Sequence, residues 1–146
     1  MKQIVPWIAA ALGVGAIANG IIMLIDPLDW YFAVPGVTTT RPFNQHFVRN
    51  IGMTYGFVGS AFVTGARVHG LRIILWAIAS LWLSAHATFH LWEVAVGICG
   101  PSQLIIDFPA VTTPALLGIA MTGWAMLTSG RVPGAVGYVG PTEGRS

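Results

Sequence analysis

Charge is what this 146-residue chain has least of: Asp, Glu, Lys and Arg together make up 8% of it, where soluble domains carry about 25%. So few ionised side chains cannot build a water-facing shell, so an integral membrane protein is expected. The seven basic residues are scattered, and the net charge of +2 comes from no cluster, which argues against nucleic acid as a partner. Cysteine is nearly absent. Cys99 alone allows no intrachain disulfide and no Cys-x-x-Cys redox or zinc motif. No Ser-His-Asp order, phosphate-binding glycine loop or nucleotide fingerprint is present. Motifs therefore point to no enzyme class.

What the chain does have is apolar length. Hydrophobic residues are 55% of the sequence, gathered into four runs that predict spans over about 4–25, 47–66, 71–96 and 111–129. The first run superficially resembles a signal peptide. It ends in Ile25-Asp26-Pro27 without the small residues a cleavage site needs, and is expected to be retained as a span. Ala9, Gly13, Ala16 and Gly20 make a small-residue stripe on it, and Gly52, Gly56 and Ser60 a second stripe on span two. Asn19, beside the first stripe, suits an interhelical hydrogen bond. The uncharged core of span two, Ile51 to Ala66, is short for a bilayer of about 30 Å. Arg49 and Asn50 must then lie near one surface, with Arg49 reaching headgroups or pairing with Asp26, Asp29 or Glu93.

The connections carry the remaining polarity. Trp30-Tyr31-Phe32 suits an interfacial belt, Pro35-Gly36 reads as a turn, and Thr38-Thr39-Thr40 as a short extended piece. Arg67-Val-His69-Gly-Leu-Arg72 is a tight basic connection, and the third connection contains Asp107. Lys2, Arg67, Arg72, Arg131 and Arg145 fall on the termini and the second connection. The positive-inside rule therefore places both termini in the cytoplasm. The expected fold is all-α: a four-helix transmembrane bundle over residues 1–130, capped outside by the first and third connections. A mobile cytoplasmic tail follows over 131–146.

The chemistry concentrates in Ser84-Ala-His86-Ala-Thr-Phe-His90-Leu-Trp-Glu93. On a helix His86, His90 and Glu93 project within roughly 60° of one another. Polar groups at that depth are costly to keep unless something binds them. One reading is a metal site for zinc, copper or iron, with His86 and His90 as ligands and Glu93 and His46 as further candidates. Asn50 and Asp107 would then orient the imidazoles. A second is a structural polar network that fixes helix packing. A third is a b-type haem clamped between His46 and His86 or His90. A fourth is a quinone or lipid pocket lined by Trp82, Phe89 and Trp92. His69 reads as a solvated loop residue, and Tyr55, Trp76 and Trp124 as packing or lipid contacts. Met23, Met53, Met121 and Met126 read as core filling, and Cys99 as a packed thiol.

Asp26-Pro27 at the end of span one, Arg49-Asn-Ile-Gly52 opening span two and the short basic turn before span three resemble the DoxX-like group of small bacterial membrane proteins. That resemblance implies a four-helix bundle in a bacterial inner membrane, with some members linked to redox processes. It assigns no residue a role. The function expected is that of a small multi-pass inner-membrane protein binding a metal ion or redox cofactor at its outer end. The alternative is an accessory or assembly subunit of a larger membrane complex, or a homo-oligomer, whose histidines are structural.

Overall fold

A computed structural model describes residues 4–40 and 42–129, Thr40 by its backbone alone. The tail expected over 131–146 lies outside the described residues, as do Lys2 and Arg41. Among the described residues every regular element is helical. Helix α1 spans Ile4–Ile25, α2 Pro27–Ala33, α3 Val37–Thr40 and α4 Gln45–Arg67. Helix α5 spans Arg72–Ala95, α6 Gln103–Asp107 and α7 Thr113–Ser129. Three stretches, Ile4–Ile25, His69–Ala95 and Gln103–Ser129, are long and apolar enough to cross a membrane. Helix α4 matches them in length at 23 residues but not in composition, because Gln45, His46, Arg49 and Asn50 fill its first two turns.

The surface fits a lipid surrounding better than water. Trp7, Phe57, Leu81, Ile105 and Leu127 are between 72% and 79% exposed, whereas the buried core sets Ala9, Ala79, Ala87, Ala115 and Ala125 around Phe62 and Trp76. Large apolar side chains turned outward around a core rich in small residues are what helix association in a bilayer requires.

Close approach of α1 and α4 follows from opposed glycines. A β-carbon at Gly13 would come within 2.6 Å of the Gly59 carbonyl oxygen, and one at Gly20 within 2.5 Å of the Gly52 oxygen. The stripe on α1 therefore does what its spacing predicts. On α4 the working pair is Gly52 and Gly59. Ser60, expected in that ladder, is exposed, and a β-carbon at Gly56 would meet nothing. Seven residues make nearly two full turns, so Gly52 and Gly59 share a face that an i,i+4 ladder drifts away from.

Helices α4 and α5 turn back on one another through a single 3-10 turn, His69–Leu71. Arg72 locks this turn: its Nε and Nη2 donate to the carbonyl oxygens of Gly65 and Ala66 at 2.9 and 3.0 Å. Those carbonyls belong to the last turn of α4, where a cation is favoured. Trp76 packs into the gap left by Gly65 and donates its indole N–H to the Phe62 carbonyl at 3.1 Å. Helix α7 joins α5 through Ser80 and Thr122, whose hydroxyls lie 3.1 Å apart. Gly118 leaves room for Ser80 there.

The connections are structured. Asn19 Oδ1 accepts the Trp30 indole N–H at 2.9 Å, so the hydrogen bond expected of Asn19 ties α1 to α2. Thr38 to Thr40 form a helical turn instead of an extended piece. Gly36, with φ of +86°, reverses the chain, and its carbonyl accepts the Thr39 hydroxyl at 2.7 Å. A side chain at Gly36 would collide with Gln103 and Ile106, so the first connection lies against α6 of the third. Helix α5 ends on Gly97, φ +78°, with Ile98 N–H on the Glu93 carbonyl at 2.9 Å and Gly97 N–H on that of Val94 at 3.2 Å. This is the bonding of a Schellman cap, and it needs a residue that tolerates positive φ.

Candidate functional site

The polar centre lies where α5 meets α6. His90 Nδ1 donates to Asp107 Oδ2 at 2.8 Å, and Gln103 Nε2 donates to Asp107 Oδ1 at 2.8 Å. Both carboxylate oxygens are therefore engaged. The His90 side chain is 24% exposed and that of Asp107 12%, so the pair is largely withdrawn from the surroundings. Gln103 and Asp107 are one helical turn apart on α6, which turns both polar groups to the same face. Leu104, Ile105 and Ile106 between them are exposed.

Asp107 is the last residue of α6, within a helical stretch that runs on from Gln103 to Ser129. The next five residues, Phe108–Thr112, form a π-turn that leads into α7. Pro109 and Pro114 supply no backbone N–H. The Thr113 N–H reaches back to the Phe108 carbonyl, which also accepts the Thr113 hydroxyl at 2.9 Å.

His86 lies one turn from His90, their ring centroids 4.7 Å apart at 71°. Its other ring neighbours are Trp82, stacked at 5.0 Å and 10°, and Tyr55 from α4, edge-on at 6.4 Å. Tyr55 also meets Trp82 edge-on at 5.4 Å. Among the described residues no hydrogen bond is made to the His86 ring. Its orientation is set by aromatic packing, and both ring nitrogens stay available.

The other expected site residues are placed apart from this pair. Glu93 is buried on the same side of α5 as His86 and His90, but among the described residues the ion pair of His90 is with Asp107. His46 accepts from the Asn50 amide across 3.0 Å, in an open cleft with Leu24 and Arg49. It is nine residues from Tyr55, about 180° round α4, whereas Tyr55 is the α4 residue that faces His86. His46 and Asn50 therefore open on a different side of α4 from the histidine pair. Among the described residues no three or more His, Cys, Asp or Glu side chains are placed to hold a metal ion together. The pair offers two imidazoles and one orienting carboxylate.

Neither family models, nor curated proteins, nor solved structures match this chain. Chemistry must be read from the geometry itself. A carboxylate that accepts the Nδ1 proton of His90 fixes the tautomer and leaves Nε2 with its lone pair free, the arrangement that precedes ligation or proton acceptance. Two residues of this centre escape a search for ligand spacing. Gln103 is legible only as one half of an i,i+4 polar pair in an apolar stretch. Tyr55, read as packing, does pack, but against the histidine.

Proposed function

We propose that this chain is a small integral membrane protein that binds a metal ion or redox cofactor through His86 and His90, with Asp107 as the positioning carboxylate. The observation that carries the reading is the His90 Nδ1–Asp107 Oδ2 bond of 2.8 Å beside a His86 ring with no hydrogen-bond partner among the described residues. Two imidazoles at i,i+4 suit zinc, copper or iron. The remaining coordination positions would be filled by water or a small ligand, which leaves the site open to chemistry. A b-type haem clamped between His46 and His86 or His90 gains no support from the placement of His46 in its own cleft with Asn50, whereas a quinone against Trp82 would use the ring nitrogens of the pair. His46 and Asn50 serve a separate cleft in this reading, and Glu93 stays in reserve next to His90.

The architecture we propose around the site is a four-helix transmembrane bundle in a bacterial inner membrane. Helix α4 counts as a span because it packs between α1 and α5 and turns Met53 and Phe57 outward. Arg67, His69 and Arg72 lie at one end of the bundle, and Asp26, Asp29 and Asp107 at the other. That asymmetry supports a basic, cytoplasmic end that carries both termini and an outer end that carries the histidine pair.

A second reading rests on the same bonds. Gln103, Asp107 and His90 form a network that ties α6 to α5 without any bound group, as a structural role in an accessory subunit or homo-oligomer would need. Elemental analysis and an absorption spectrum of detergent-purified protein separate the two, with the His86→Ala, His90→Ala double variant alongside. Stoichiometric metal or a chromophore that vanishes in the variant is the expected result. A metal-free, colourless wild type that also takes up no added zinc, copper or iron would defeat the cofactor reading.

A further inference from the structure

An open cleft of about 530 Å³ lies where α1 ends and α4 begins, lined by Leu24, Gln45, His46, Arg49, Asn50 and Met53. Arg49 is its one charged lining residue, so the lining carries a single positive charge. Its Nε donates to the Leu24 carbonyl at 3.1 Å, one of the last four carbonyls of α1, which have no partner within the helix. That bond anchors the base of the guanidinium and leaves its two Nη groups free of any ion pair among the described residues. Among the described residues neither Asp26 nor Asp29 forms an ion pair with it; Asp26 accepts the Asp29 N–H at 3.4 Å.

We infer that this cleft binds the phosphodiester of an anionic phospholipid, with Arg49 as the phosphate ligand. Charge decides the sign of the ligand, and the guanidinium fork matches two phosphate oxygens at once. Gln45 and Asn50 add neutral amide donors beside it. Leu24 and Met53 make the apolar floor on which an acyl chain rests. Depth decides between a lipid and a free anion. The cleft, lined by Leu24, lies at the end of the apolar stretch Ile4–Ile25, where the exposed Asp26 and Asp29 follow. Charged side chains that close an apolar span mark the headgroup layer of a bilayer. The inference needs α1 and α4 to lie in a bilayer, and it is independent of what His86 and His90 bind.

Native mass spectrometry of the detergent-purified full chain tests this, with added phosphatidylglycerol, chain-matched phosphatidylcholine, or inorganic phosphate. Wild type should retain phosphatidylglycerol over phosphatidylcholine by at least about fivefold, the preference one basic residue near anionic lipid supports. Arg49→Gln should reduce that preference to near unity. Gln45→Glu should do the same while leaving the Arg49–Leu24 anchor in place, which separates ligand loss from a disturbed helix end. Arg67→Gln, at the opposite end of α4, should leave the preference unchanged. The lipid assignment is overturned if both cleft variants keep the preference, if Arg67→Gln lowers it equally, or if inorganic phosphate displaces the lipid.

Discussion

Asp107 is the residue on which the histidine centre turns, because it takes one hydrogen bond from each of two elements. Replacing it by Asn keeps the shape but removes the carboxylate. The amide can present its oxygen to His90 or to Gln103, and cannot serve both as acceptor. If the centre binds a metal, Asp107→Asn should weaken zinc or copper binding by about 10–100-fold, the usual loss when an orienting carboxylate is removed. Isothermal titration with wild type and variant reads this directly. A variant that binds metal as tightly as wild type would show that the carboxylate orients nothing, and would leave the interhelical network as its only role. His46 is a useful control. It bonds Asn50 in a separate cleft, so His46→Ala should leave that affinity unchanged.

Among the elements, α1 and α4 show how helices with few polar contacts can still be held together. Their seam is built from glycines facing carbonyl oxygens, so any side chain added there meets backbone. Gly59→Val would drive its β-carbon into the Gly13 carbonyl and Ile17, and should cost about 1–3 kcal/mol. Gly56→Ala, one turn away, meets nothing within 4 Å and should be close to neutral. Thermal unfolding in detergent checks the pair, and equal losses for both would mean that the seam lies elsewhere. This contrast marks what was legible in the sequence. The first span and its small-residue stripe could be read residue by residue, because a helical period of 3.6 leaves a plain trace in an apolar run. Gly59 in place of Ser60 could not be read that way, since both are small and only the partner helix chooses between them. The short threonine run was misread for a similar reason: a glycine turn outweighs the β-preference of three residues. On the site, His86 and His90 stood out by spacing and depth. Asp107 could be read as an orienting carboxylate, but that it takes His90 depended on how the third connection folds back. Gln103 had no signal of its own until α6 was seen to place it one turn from Asp107.

For the molecule as a whole, the proposed inner-membrane topology makes a claim about sidedness: it puts the histidine centre on the outer side, and so decides which metals or redox partners could reach it if it binds one. Arg67, His69 and Arg72 sit in the turn between α4 and α5, while Asp107 and the exposed apolar residues of α6 sit at the other end of α5. Helix α5 crosses between them, so the two connections must lie on opposite sides if it spans the bilayer. The sequence offers two positions to test this without disturbing the packing. A β-carbon at Gly70 meets nothing within 4 Å, and one at Gly100 meets only the Ser102 hydroxyl at 3.8 Å. With Cys99 first changed to Ser, Gly100→Cys should react with a membrane-impermeant maleimide added to intact spheroplasts. Gly70→Cys should react only after lysis. The opposite pattern would invert the bundle and place the histidine pair in the cytoplasm, where a reduced metal pool would become its source. Labelling of both positions from outside would mean that α5 does not cross at all, and then the depth of His86, on which the cost of keeping it depends, would have no basis.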